Sequence, residues 1–142
     1  QSHTRSLFET VEGSIDVLKR VGRQNFGIIY EPANLDLCGQ DYGTETLKRF
    51  SPYLFNVYLQ NYLPDVKGSA RIETWVRGTV RFEHIPLHDP RGVNWREVFD
   101  GLGTVGYDGY VTVHQALAEI MEPAEAAQVS AEFLRSLQNF EA

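Results

Sequence analysis

Cysteine and methionine are nearly missing from this chain, with one of each in 142 residues. Cys38 has no second cysteine to pair with, so no internal disulfide forms, and a reducing, cytoplasmic compartment is the expectation. No run approaches the roughly 18 apolar residues of a membrane span, so none is expected. An excess of positive charge is missing as well. Thirteen Lys+Arg against 19 Asp+Glu leave a net charge of −6, which argues against the basic footprint of a nucleic-acid binder. There is no Gly-Lys-Ser/Thr phosphate loop and no nucleophile elbow. Gly101-Leu-Gly103-Thr-Val-Gly106 has dinucleotide-like spacing, but it follows a predicted helix and precedes a strand, the wrong order for that loop. Cys38 shows no base partner that would make it a nucleophile. No secretory signal is visible. The first residue is Gln1 and not Met, which reads as a start after something removed, omitted or cut; a secreted protein that has lost its signal stays open on that fact.

What is present is an ordinary globular composition, 42% hydrophobic and 23% charged, with helical and strand patterns in alternation. Residues 7–21 carry Val11, Ile15 and Leu18 at helical spacing, with Thr10 as N-cap, Glu12 early, Lys19 and Arg20 late, and Gly22 as the stop. FGIIY (26–30) is a short apolar run of the kind a buried parallel strand shows, ended by Pro32. A short helix over 44–50 stops at Ser51-Pro52, and YLFNVYL (53–59) is a second strand. Residues 60–92 read as a long connector, with partial alternation over 70–84 that suggests a small hairpin. A helix over 93–102, a strand YVTVH (110–114) and a helix over 122–137 with Pro123 in its first turn complete the chain.

This is βα repetition in a single domain, 1–142, with no linker that divides it. Three parallel strands alone would leave open edges, and a whole (β/α)₈ barrel needs about 250 residues. The expectation is therefore an α/β fold: the C-terminal portion of a TIM barrel, with three βα units and a long loop or hairpin (60–92) at the mouth. The N-terminal half would lie in the same or another chain, and a homo-oligomer is one way to close the edges.

The phrases GIIYEPANL (27–35), FNVYLQN (55–61), GVNWREVFDGLGTVGYDGYVTVHQ (92–115) and FLRSL (133–137) resemble the xylose-isomerase-like barrel superfamily, which includes sugar epimerases, inosose dehydratase-like proteins and barrel-type apurinic endonucleases. QSHTRSLFET, at the start, is similar to the stretch after that family's fifth strand. The resemblance implies a divalent metal (Mn²⁺, Mg²⁺ or Co²⁺) at the C-terminal mouth, held by an acidic residue, a second acidic residue, histidine and glutamate on successive strand ends. The matching positions here are Gln1, Glu31, Tyr58 and His114, and Asn34 stands where some members carry histidine. Gln1, Glu31 and His114 are thus the implied metal set. Hard cations favour oxygen-rich sites, and one carboxylate, one imidazole and one amide make a poor version of one.

Active sites of such barrels form at the C-terminal ends of strands. Glu31 and His114 end two predicted strands and are the candidate catalytic pair, since a neutral imidazole serves as a base near pH 7. The bland alternatives are a carboxylate satisfied by local N–H groups and a satisfied mouth histidine. His3, Asn34, Tyr58, Gln60, Asn61 and Gln115 are candidates for holding a small sugar or polyol, the amides because they offer donor and acceptor together. Trp75 could stack on a sugar face and Arg77 could meet an anionic group, although a solvated hairpin shows the same alternation. His84 and His88 are four apart, but Pro86 forbids the helix that would pair them on a metal. The functional expectation is a sugar or polyol isomerase or epimerase, or a related lyase, that transfers a proton beside a carbonyl. The alternative is a diverged, non-catalytic barrel that binds a small polar ligand. An apurinic endonuclease is disfavoured by the negative charge and the missing ligands.

Overall fold

The computed structural model describes residues 1–138. Its elements run α1 (Val11–Val21), β1 (Ile28–Tyr30), α2 (Pro32–Leu37), α3 (Thr44–Phe50), β2 (Leu54–Leu59), β3 (Asn61–Pro64), β4 (Ala70–Thr74), β5 (Gly78–Ile85), α4 (Trp95–Thr104), β6 (Val111–Val113) and α5 (Pro123–Leu137). Strands β1, β2 and β6 form one parallel sheet in that order, with Tyr30 opposite Val57 and Leu59 opposite Val113. Ser2 N–H donates to the Ile29 carbonyl at 3.1 Å, so the first residues run alongside β1.

Local chemistry fixes the helices where the periodicity placed them. The Thr10 hydroxyl accepts from Gly13 N–H, and Gly22 ends α1 with φ 56°, a left-handed conformation that glycine adopts without penalty. Asn94 caps α4 by accepting from Glu97 N–H. Pro32 begins α2, a short helix that the sequence pattern did not announce. On β1 and β2, Ile28, Tyr30, Val57 and Leu59 are fully buried on the helix side of the sheet, against Leu47 and Phe50 of α3. Full burial of such a side chain contributes about 1.5–3 kcal/mol. The alternate residues, Asn56, Tyr58, Gln60, Thr112 and His114, share the other face, as strand alternation requires. Contacts across that face confirm it: Thr112 Oγ1 donates to Asn56 Oδ1 at 3.4 Å, and the Tyr58 and His114 rings lie 5.0 Å apart.

The connector expected over 60–92 is mostly regular. It folds into a second, antiparallel sheet of order β3-β5-β4, larger than the hairpin expected over 70–84. Its alternation is real: Val80 and Phe82 are buried between exposed Thr79 and Arg81. Phe82 packs on Tyr62 with ring centroids 4.6 Å apart, and both join the main core. The sheet leaves β2 at its C-terminal end, so it sits at the mouth, beside the strand termini.

Candidate functional site

At the C-terminal end of β1 the chain buries a carboxylate completely: Glu31 is 0% exposed. Its backbone is fixed by Ser2, whose hydroxyl accepts from Glu31 N–H at 3.0 Å and also lies 3.2 Å from the Glu31 carbonyl oxygen. Its side chain accepts from amide groups on three different segments. Gln1 Nε2 and Asn34 Nδ2 donate to Oε2, the latter at 2.6 Å, and Gln60 Nε2 donates to Oε1. Asn34 is itself anchored on the Ser2 carbonyl at 3.1 Å. His114, at the end of β6, places Nδ1 3.5 Å from Oε1. The His114 side chain is 52% exposed, and its ring packs against Tyr58. An exposed imidazole therefore stands on a sealed carboxylate.

Burial pushes the Glu31 carboxyl above its usual range, opposed by the hydrogen bond from Gln1, by His114 and by the bond from Gln60. The field of Glu31 reaches Tyr62, whose hydroxyl is raised by burial first and by Glu31 second.

The structure thus brings Gln1, Glu31, Asn34, Gln60, Tyr58 and His114 together. Gln60, just past the end of β2, touches Glu31; Tyr58, inside the strand, sits one step deeper on the same face and meets His114 instead. The remaining candidates are engaged elsewhere. Asn61 points to the opposite side of the chain from Gln60. Its amide donates to the Pro86 and Asp89 carbonyls, both at 3.0 Å, and accepts from Val93 N–H at 2.9 Å, so it clamps the 86–93 loop. Gly92 is required there, because a Cβ would collide with Asn61 Oδ1 and lie 2.8 Å from the Tyr62 carbonyl oxygen. Gln115 turns away from His114 and donates to Ser130 of α5 at 2.7 Å, lining a groove of about 350 Å³ with Leu117 and Met121. Arg77 donates to the Leu37 carbonyl at the end of α2 at 3.2 Å. Trp75 is exposed at the hairpin tip, and its backbone N–H is held by Glu9. His3 bonds locally to the Thr4 carbonyl at 3.1 Å. His84 lies edge-on to Tyr62 and Phe82, and His88 packs near Phe133. The thiol of buried Cys38 is pushed up to about 12, by burial first, which makes it a poor nucleophile.

Two residues of consequence escaped the sequence reading. Ser2 fixes Glu31 from the neighbouring segment. Glu9, 3% exposed, accepts from Arg5, Trp75 and Val76 N–H groups, the last two at 2.7 and 2.9 Å. No periodicity or motif marks either one, because Ser2 acts on the backbone of Glu31 and Glu9 on that of Trp75 and Val76, far away in sequence.

A parallel sheet with strand-end side chains gathered at its C-terminal edge is an arrangement that barrels share with open α/β sheets. The chain belongs to the xylose isomerase-like TIM barrel family, whose model matches residues 1–137. Among solved structures it is similar to a xylose isomerase domain protein from Planctomyces limnophilus, with 20% identity, a TM-score of 0.68, and 91% of this chain and 43% of that one covered. It is also similar to a xylose isomerase-like TIM barrel protein from Mycobacterium smegmatis in complex with magnesium, at 16% identity and TM-score 0.66, over 95% of this chain and 41% of that one. A third is D-psicose 3-epimerase from Clostridium cellulolyticum H10, with D-tagatose, at 14% identity and TM-score 0.60, over 95% and 47%. The chain thus spans less than half the length of these structures. No curated protein matches it. Among the described residues no helix is long and apolar enough to cross a membrane.

The metal that the family resemblance implies does not fit the residues present. Among the described residues no group of three or more His, Cys, Asp or Glu side chains could hold an ion. The one carboxylate at the mouth is already met by N–H donors from three amides.

Proposed function

We propose that the chain supplies the catalytic mouth of a sugar- or polyol-directed isomerase or epimerase that moves a proton at a carbon beside a carbonyl. The observation that carries this reading is the pairing of a sealed carboxylate with an exposed imidazole 3.5 Å away. Of the two candidate bases, Glu31 is too enclosed to meet substrate, so His114 takes that part. Glu31 orients the ring through Nδ1, which leaves Nε2 as the working nitrogen. The C–H bond breaks, its electron pair moves into an enediolate, and its proton goes to His114. Return of that proton to the adjacent carbon, with the enediol hydroxyl proton passing to the other oxygen, completes isomerisation, whereas epimerisation requires a second acid on the opposite face of the substrate, supplied by the rest of the barrel. Tyr58 packs the ring in place, and polar groups on the open face of the sheet, among them Asn56 and Thr112, are available to substrate hydroxyls.

The reading extends to the whole protein as a barrel whose other strands come from the same or another chain, in a reducing, cytoplasmic compartment. The test is solvent-deuterium exchange into a panel of ketoses, aldoses and polyol-derived ketones, followed by NMR with the full chain. Exchange at a carbon beside the carbonyl that is lost in His114→Gln supports the reading; exchange unchanged in that variant contradicts it. A second reading, a diverged barrel that binds a polyol without turning it over, is favoured by the amides at strand ends where the family resemblance implies metal ligands. It predicts saturable polyol binding with no exchange.

A further inference from the structure

We infer that this mouth does its work without a divalent cation, and that an amide cage with the His114 imidazole occupies the place the metal would have. The inference deepens the reading of His114 given above, but its structural basis is separate: it rests on which atoms face Glu31.

An ionised carboxylate is an acceptor with about four lone-pair positions. At Oε2 two positions are filled by Gln1 and Asn34. At Oε1 one is filled by Gln60, and His114 Nδ1 faces the oxygen. Each amide therefore turns its N–H, not its carbonyl oxygen, toward the spot a cation would share with the carboxylate. The assignment is forced by chemistry, since an ionised carboxylate has no hydrogen to give an amide oxygen. To admit Mg²⁺ or Mn²⁺, Gln1 and Gln60 would have to reverse their amides. Glu31, 0% exposed, would then lose two N–H partners with no water to replace them. The incoming ion would find a single carboxylate, whereas such ions take carboxylate-rich, six-oxygen shells. Asn34 cannot reverse cheaply either, because the same amide nitrogen also bonds the Ser2 carbonyl.

What a metal would supply to a proton transfer is polarisation of the substrate oxygen. Nε2 of His114 is already committed to taking the proton, so polarisation of the substrate oxygen falls to neutral hydrogen-bond donors on the open face, such as the hydroxyl of Tyr58, whose ring packs on His114. The cage has a matching purpose: N–H donors on both oxygens favour the anion against the burial that raises the carboxyl, and an anion is what steers the imidazole.

The test is a Mn²⁺ titration of the full chain, with free Mn²⁺ counted by EPR and thermal stability followed with and without EDTA. The expected result is no saturable site up to about millimolar Mn²⁺ and an unchanged Tm. About one Mn²⁺ bound per chain, abolished in Glu31→Gln, overturns the inference. The double variant Gln1→Glu/His114→Glu adds two carboxylates, and it is expected to bind Mn²⁺ at least about tenfold more tightly than wild type. Wild type binding as tightly as that variant also overturns it, and if the variant fails to fold the wild-type titration decides alone. Failure here is distinguishable from failure of the proposed function. Exchange that persists in EDTA supports the inference. Exchange lost in EDTA and restored by Mn²⁺ sinks the inference but leaves His114 as base. Exchange missing from every substrate sinks the proposed function, and the titration still decides the question of the metal.

Discussion

Glu9 and Glu31 are both buried, and among the described residues each accepts from three N–H donors, but the donors differ in kind. Around Glu9 they are backbone groups of Arg5, Trp75 and Val76, and the carboxylate ties the loop before α1 to the tip of the β4–β5 hairpin. Around Glu31 they are side-chain amides from three segments, and the fourth neighbour is a half-exposed imidazole. A carboxylate fed by backbone locks two pieces of chain together, and its burial ends there. A carboxylate fed by side-chain amides from three segments, with an imidazole beside it, is the arrangement on which the proposed function rests. Position repeats the lesson: Glu9 lies under a hairpin tip, and Glu31 lies at the C-terminal edge of the parallel sheet.

Substitutions should separate the two. The largest effect is expected at His114, where His114→Gln reduces proton exchange by about 100-fold or more, within the usual range for a positioned acid–base group, with a Tm close to wild type. Melting curves and the exchange assay on one preparation check both halves. Next is Glu31→Gln, which faces three amide donors with an amide of its own. It should lower the exchange rate by about tenfold or more and remove a pH-dependent part of the stability. The sign follows from the raised carboxyl: the folded state holds its proton more tightly than the unfolded state. The stability this group contributes is therefore present below the ordinary glutamate range and is lost as pH rises through the raised value. The difference in Tm between wild type and Glu31→Gln, measured across that window, should change with pH.

Glu9→Ala should act on stability alone, by about 2 kcal/mol, since bonds to a charged group contribute about 1.5–3 kcal/mol. Limited proteolysis near residues 75–77 would report the loosened hairpin. Asn61→Ala belongs with Glu9: it releases the 86–93 loop at a cost of about 1–3 kcal/mol and leaves the exchange chemistry in place at temperatures where the fold persists. The smallest effect is expected at Trp75→Ala. That side chain is 62% exposed, and its removal should alter stability by less than about 0.5 kcal/mol and exchange by less than twofold.

The same contrast explains how much was legible in the sequence. The α1 cap at Thr10, the stop at Gly22, the helices over 44–50 and 122–137 and the parallel strands carry their signals locally, in periodicity and in capping chemistry, and the structure has them within a few residues. Helix α2 has only six residues, too few to display a helical period, and the second sheet hid in a stretch rich in Gly and Pro. At the site, Glu31 and His114 stood out because they end strands. What the pattern did not resolve was facing: neighbours in an extended chain point to opposite sides, so Gln60 and Asn61 part company, as do His114 and Gln115. In each pair the first residue joins the cluster on the open face of the sheet, and the second is spent on structure. Tyr58 and Gln60 share a face, and which of them reaches Glu31 depends on the register of β1 on β2, which has an irregularity between Ile28 and Ile29. Glu9 and Ser2 were illegible because their partners are backbone atoms brought near only by folding.

The central claim is that chemistry belongs to the Glu31–His114 pair and not to the other buried carboxylate. Solvent-deuterium exchange into substrate, measured side by side for His114→Gln and Glu9→Ala at a temperature where both are folded, tests it most directly. The account predicts exchange lost in His114→Gln and retained within about threefold in Glu9→Ala, whose partners lie outside the cluster. Exchange retained in the first and lost in the second would contradict it.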